Sequence, residues 1–409
     1  MRRLLTTIVI VACLVGRVVL GADDGATGLA ERLAPHVGQT LDLVELGTGK
    51  RLVRPTLVGL TERKEALTAI RLRAEGETKT VSVPLAGIVK IIAARETVFE
   101  HSGTGNGAQS RGRRAREAYE KQLEASAERM QERGVEPWPP LSAAEHAEQV
   151  EALEAFVTDT KAVFPALEST QTHEFLVATD IPAGQIAPYL ANLDAMHDFL
   201  CDLYAIPRGE PVWRGKCLVI AFLREEDFHA FEARFFEAVP RGVHGLCHQR
   251  SDGRVIMACH RGDDAPAFGH MLVHETSHGF NHRWMSPVRL PNWLNEGIAE
   301  WVGTQVVPAS RQVPRKEARA LELMRARRSL GDGFFDPGPD FHIQPDQYGI
   351  ASSLVRFMVA RDRRKFAAFV QGVKEGLDVE TSLKESFRTS LADLVQAYGK
   401  AIGVQDLAP

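Results

Sequence analysis

His274-Glu275-Thr276-Ser277-His278, preceded by the apolar Met271, Leu272 and Val273, decides how this chain is read. Neither Pro nor Gly interrupts the segment, so it is expected to be helical. On a helix, positions i and i+4 lie one turn apart on one face, and both imidazoles reach a single metal ion. Zn2+ accepts neutral imidazole and in catalytic sites takes three protein ligands, with a fourth position left for water. Glu275, adjacent to the first His, is placed beside that water as a general base. A surface helix with two spare histidines would carry the same five residues. A third ligand is therefore the deciding feature.

Asn292-Trp293-Leu294-Asn295-Glu296-Gly297-Ile298-Ala299-Glu300 supplies it, after a loop containing Pro287 and Pro291. The seventeen residues between His278 and Glu296 let the chain leave one helix, turn and return along a second with a carboxylate facing back. HExxH followed by Asn-Glu-Gly-x-Ala resembles the gluzincin pattern of the aminopeptidase N family and the broader peptidase-MA-like group. The match covers residues 268 to 304 and weakens through the helices to 360. It implies a zincin-type α+β domain and a zinc ion on His274, His278 and Glu296, with Glu275 as the base. Glu300, one turn after Glu296, resembles the carboxylate that orients a ligand His through its other ring nitrogen. Tyr348 opens Tyr348-Gly349-Ile350-Ala351-Ser352-Ser353, which resembles the helix start where the family keeps its catalytic tyrosine. The resemblance implies that its phenol donates to the oxyanion of the reaction. The Lys-Gly that often follows the family's tyrosine is replaced here by Gly349-Ile350-Ala351. The Gly-x-Met-Glu-Asn segment that binds a free N-terminus is missing too, and Val255-Ile256-Met257-Ala258-Cys259 occupies its place, so an endopeptidase is mildly preferred.

Other ligand-type residues compete. His270 and His282 extend the four-residue spacing but lie a full turn beyond the His274–His278 pair, and are expected to be hydrogen-bonded or outside the ligand set. A metzincin would need glycine at position 281 and histidine at 284, where Asn281 and Trp284 stand. Cys247-His248 and Cys259-His260 flank Asp252-Gly253, a hairpin signal. Neighbours on a strand face opposite ways, which disfavours a Cys2His2 zinc site. With Gly253 at the turn centre, Cys247 and Cys259 would oppose each other, and a disulfide between them is expected, two free thiols being the alternative. Cys201 and Cys217 are the other cysteines beyond residue 22.

The 409 residues carry 49 Lys plus Arg against 53 Asp plus Glu, a net charge of -4, which disfavours a nucleic-acid partner. No apolar run is long enough for a membrane span. Arg2 and Arg3, the apolar stretch Leu4–Gly16 and the small Gly21 and Ala22 read as an export signal over residues 1–22. Cys13 offers a lipoprotein reading as a minor option. Residues 34–97 alternate like short strands between Gly turns and suggest a small all-β barrel, SH3-like or Sm-like, whose partner is an unknown protein if it has one. Residues 98–140 read as linker and helix, with His101–Arg114 as the linker. Residues 141–310 are expected to form the zincin α+β catalytic domain and 311–409 a C-terminal helical subdomain. Ile186, Tyr189, Leu193, Met196, Leu200 and Leu203 make a helical core stripe.

The expectation is an exported zinc metallopeptidase: periplasmic, surface-bound or secreted. It would hydrolyse peptide bonds with a zinc-activated water and Glu275 as base. The alternatives are a catalytically silent zinc-bearing binding module and a metal hydrolase acting on a non-peptide amide.

Overall fold

The computed structural model describes residues 26–41, 43–46, 51–53, 55–63, 66–73, 78–85, 88–93, 96–100, 108–207, 209–238, 242–335, 338 and 342–409. The chain divides into two compact units, residues 1–115 and 116–409. Among the described residues, no helix is long and apolar enough to cross a membrane. The export-signal segment with Cys13, and the turns expected at 47–49 and 75–77, lie outside the described residues.

In the first unit, helix α1 (Ala26–Leu33) precedes seven strands: β1 (Leu43–Leu46), β2 (Arg51–Val53), β3 (Thr56–Arg63), β4 (Ala66–Arg73), β5 (Thr80–Pro84), β6 (Ile88–Ala93) and β7 (Glu96–Glu100). They form two antiparallel sheets, ordered β2-β1-β6-β7 and β3-β4-β5. Leu29, Leu33, Val44, Leu57, Ile70, Leu72 and Ile91 close one apolar core. Alternation alone would put Thr68 on the face of Ile70 and Leu72. A register shift pairs Thr61 with Ala69 but Glu62 with Leu67, so Thr68 is the extra residue of a bulge. Leu67 takes the inward place, and the Thr68 hydroxyl donates to the Thr61 carbonyl.

Helix α2 (Ala108–Glu132) begins inside the stretch read as linker, which corrects that reading over 108–114. Ala and Arg are strong helix formers, and the segment runs without a break into the rest of the helix. Helix α3 (Ala143–Val163) starts with a capping box, Ser142 and Glu145 satisfying each other's backbone amides. Next come β8 (Glu168–Gln171), β9 (Phe175–Thr179), α4 (Ala183–Leu203), β10 (Cys217–Phe222), α5 (Glu225–Phe235), β11 (Gly245–Gln249) and β12 (Val255–His260). The helices α6 (Ala265–Arg283), α7 (Asn292–Val306), α8 (Gln312–Arg327), α9 (Tyr348–Arg361), α10 (Arg363–Lys374), α11 (Val379–Phe387) and α12 (Leu391–Ile402) complete the chain.

The five-stranded sheet is ordered β11-β12-β10-β9-β8, with β12, β10 and β9 parallel and both outer strands antiparallel. Parallel strands are covered on both faces, so β9, β10 and β12 are buried along their whole length. Their side chains alternate between two cores. Leu176, Leu218, Ile220 and Ile256 pack with Phe228 and Phe231 of α5 and Leu153 of α3. Val177, Val219, Val255 and Met257 face the other way, toward α4, α6 and α7. That second core is continuous with α9 to α12 through Ile350, Leu354, Phe369, Leu383 and Tyr398. All six residues of the α4 stripe are buried. The fold of this unit is therefore mixed α+β, with the sheet at one end of a large helical core.

Candidate metal centre

Helix α6 is capped by Asp264, whose carboxylate accepts from the Ala267 amide, and it lies tightly against the outer end of the sheet. Two glycines permit that approach. A Cβ at Gly279 would stand 2.5 Å from Val255 Cγ1 and 3.2 Å from Cys247 Sγ. One at Gly245 would stand 2.7 Å from Met271 Sδ. The hydroxyls of Thr276 and Ser277 are turned onto the carbonyls of Leu272 and Val273. They occupy the buried face of α6, which leaves His274, Glu275 and His278 facing the cavity.

Helix α7 brings Glu296 to meet them. Its Oε2 lies 3.2 Å from His274 Nε2 and 3.4 Å from His278 Nε2, and the two imidazole nitrogens are 3.1 Å apart. An ion bound at about 2.0–2.1 Å in tetrahedral geometry has ligand atoms about 3.4 Å apart. The three edges fit that figure. All three side chains are at most 12% exposed, so the donors converge in a nearly dry setting and the residues present suit a zinc ion. Burial alone would lower the His278 pKa, but the Glu296 carboxylate beside it raises it to about 9. Glu296 is correspondingly held far below the usual carboxylate range by the two imidazoles, against the upward push of burial. Burial raises the pKa of Glu275, moderated by His274 and His278.

Glu300 sits behind His274. Its Oε1 lies 3.8 Å from His274 Nδ1, its Oε2 accepts from His270 Nε2 at 3.3 Å, and the Lys316 ammonium of α8 is bonded to Oε1. His270, His274 and Glu300 are a second group whose ligand atoms lie close together. Lys316 places a resident cation on that carboxylate. Against the cost of burial, His270, His274 and Lys316 hold Glu300 down at about 2. A Cβ at Gly303 would lie 2.2 Å from His270 Cε1, so glycine there makes room for the His270 ring. His270 is thus hydrogen-bonded outside the first set, as expected, and His282 lies farther along α6 with Nε2 3.3 Å from the Arg250 carbonyl.

Tyr348 is the first residue of α9 and lines the same cavity of about 1120 Å³ as His274, Glu275, His278 and Glu296. Burial, then the charges of Glu296, Glu300 and Glu275, push its pKa well above the ordinary phenol value, so it is a neutral O–H donor at neutral pH. Lys316 Nζ stands 5.4 Å over its ring. Gly349 lets α9 begin against α8, since a Cβ there would be 2.2 Å from the Lys316 carbonyl oxygen. Tyr189, Tyr204 and Tyr398 are buried in the core.

A scan against protein-family models finds no match to this chain, and a comparison with curated proteins finds none either.

The cysteines depart from the paired alternative. Cys201, Cys217, Cys247 and Cys259 are all free. The β11–β12 register sets Cys247 opposite Met257 and Gly245 opposite Cys259, because the turn is centred on Asp252 rather than on Gly253. The two cysteines are diagonal on one face, where separations of about 7–8 Å exceed disulfide reach. His248 and His260 point the other way, His248 to Glu232 at 2.9 Å and His260 to His244 at 3.1 Å. No Cys2His2 cluster forms among these four.

Sequence reasoning missed two lysines. Lys316 has no motif around it. Lys374, at the end of α10, is fully buried and donates to the carbonyls of Ser286 at 2.5 Å, Val288 at 2.7 Å and His282 at 3.4 Å. It ties the α6–α7 loop to α10. Burial and the neighbouring Arg283 lower its pKa to about 7.

Proposed function

We propose that this protein is an exported zinc metallopeptidase of gluzincin type, with zinc on His274, His278 and Glu296. The observation that carries this reading is the near-equilateral set of donors, 3.1 to 3.4 Å apart, beside the buried Glu275. When bound there, a zinc ion supplies Lewis acidity toward a carbonyl and toward water. Glu275 takes a proton from the water that adds to the scissile carbonyl and returns it to the departing amine. Burial raises its pKa, which favours taking up the proton it must later release. Tyr348 donates its O–H to the oxygen on which negative charge develops, and Glu300 holds the His274 ring in orientation.

The substrate side of the cavity favours an extended chain. Edge strand β11 contributes Leu246, Cys247, His248 and Gln249 to the lining, and an edge strand offers unpaired amides and carbonyls to a peptide backbone. Such a ladder continues past both sides of a scissile bond, consistent with an endopeptidase. In this reading the five-stranded sheet with α6 and α7 is a zincin domain, and the two small sheets of the first unit belong to an SH3-like or Sm-like barrel. The test is digestion of a broad peptide library by metal-loaded protein, with and without chelator. Chelator-sensitive cleavage within peptides supports the proposal, and an inert library with chelator-sensitive hydrolysis of other amides redirects it. Tight zinc with no turnover on any amide leaves only the binding-module alternative.

A further inference from the structure

Among the described residues that line the cavity, two arginines are exposed: Arg250, just after β11, and Arg289, in the α6–α7 loop. Among the described residues neither guanidinium has a carboxylate within ion-pair distance or a hydrogen-bonding partner. Arg254, on the same hairpin turn, is by contrast closed onto Asp252 at 2.7 Å. Two acids of the same lining are already engaged. Asp378 accepts from the Thr381 amide and hydroxyl, and Glu380 accepts from the Leu391 amide and pairs with Lys384 at 3.2 Å. His282 has Nε2 3.3 Å from the Arg250 carbonyl, and burial chiefly, with the charges of Lys374, Arg289 and Arg283 adding, lowers its pKa to about 4. Lys374 fixes the loop that bears Arg289 through its bonds to Ser286 and Val288.

The place of the two arginines relative to the metal centre follows from two elements. His282 is one helical turn, about 5.4 Å, beyond His278. Arg250 is three strand residues, about 10 Å, beyond Cys247, which lies against Gly279 next to His278. An extended peptide paired antiparallel to β11, the more stable ladder, enters from the Arg250 end and meets the metal centre two or three residues later. The planar guanidinium fork matches a carboxylate in a bidentate way that an ammonium does not.

We propose that Arg250 and Arg289 form a subsite for an acidic side chain, Asp or Glu, two or three residues on the N-terminal side of the scissile bond. This rests on the peptidase reading above. The test uses the full-length metal-loaded protein and three otherwise identical peptides with Glu, Gln or Lys at that place. A charge-assisted contact predicts kcat/KM higher for Glu than for Gln by about 10–100-fold. In R250A/R289A the Glu-to-Gln ratio should fall to within about twofold, and in R289E the order of Glu and Lys should invert. Zinc content and melting temperature are measured on each variant, and the single R250A and R289A variants stand in if the double variant does not fold. Cleavage with no preference for Glu, or a preference that survives both substitutions, overturns the subsite alone. A requirement for the acid on the C-terminal side of the cut overturns it as well. No cleavage of any peptide overturns the peptidase reading and the subsite with it.

Discussion

Gly297→Ala is the sharpest structural test. A Cβ at this position would lie 2.6 Å from the Ala351 carbonyl oxygen, 2.7 Å from Val355 Cγ2 and 2.9 Å from the Ala351 carbonyl carbon. Carbon–oxygen contacts are ordinarily no shorter than about 3.3 Å. Two of the three atoms are backbone and cannot swing aside, so α7 and α9 must part by about 0.7 Å. Overpacking of this kind costs about 1–3 kcal/mol. With about 2.1 cal/mol/K of unfolding entropy per residue, the unit spanning residues 116–409 should melt about 2–5 °C lower. The displacement also separates Glu296, the preceding residue, from Tyr348 on α9. A misplacement approaching 1 Å can cost about 100-fold in rate, so turnover should fall by about 10–100-fold. Differential scanning calorimetry and a peptide-cleavage assay read the two effects. Gly184→Ala is the control: nothing stands within 4 Å of its added Cβ, and its melting temperature should not fall. A Gly297→Ala protein that melts within about 1 °C of wild type would refute the close-approach reasoning.

The ligand assignment predicts that His278→Ala loses most of its zinc, whereas Glu275→Gln keeps about one equivalent and loses turnover. Elemental analysis beside an activity assay decides both, and full metal retention by His278→Ala would remove it from the ligand set. Tyr348→Phe should lower kcat by about 10²–10³ with KM and zinc content nearly constant; a kcat within about threefold of wild type excludes the phenol from the reaction. Because the His278 proton in the metal-free protein is held up to about 9, zinc must displace it. Affinity should therefore weaken by about tenfold per pH unit below 9, with about one proton released per zinc at pH 7.5. Calorimetric titration in buffers of different ionisation enthalpy measures that proton, and heats independent of the buffer would contradict the assignment.

Much of the centre was legible because helical spacing is rigid. His274 and His278 meet because four residues make about one turn, and the loop with Pro287 and Pro291 had room to bring Glu296 back. Glu300 and Tyr348 were reachable only through resemblance, since nothing local to either says what it faces. Lys316 and Lys374 were not legible. Their partners, Glu300 and the Ser286 and Val288 carbonyls, lie on other elements, and a lone lysine looks alike whether solvated or buried. The cysteine register failed for a related reason. Asp252-Gly253 marks a turn, but which residue stands at its centre is set by bonds such as Arg250 amide to Arg254 carbonyl, which composition does not encode. In β4 the bulge at Thr68 misled a strict two-residue period in the same way.

The four free thiols have a practical consequence. Cys217 and Cys259 are buried and Cys247 is half-buried at the cavity wall, and desolvation pushes each thiol well above its ordinary pKa, so little nucleophilic thiolate exists at neutral pH. Without a covalent crosslink among the described residues, the second unit stands on packing alone and should be indifferent to the redox potential of its surroundings. Dithiothreitol and tris(2-carboxyethyl)phosphine should then leave its melting temperature unchanged. Any loss of function in dithiothreitol that the phosphine does not reproduce would report competition for the metal by a chelating dithiol.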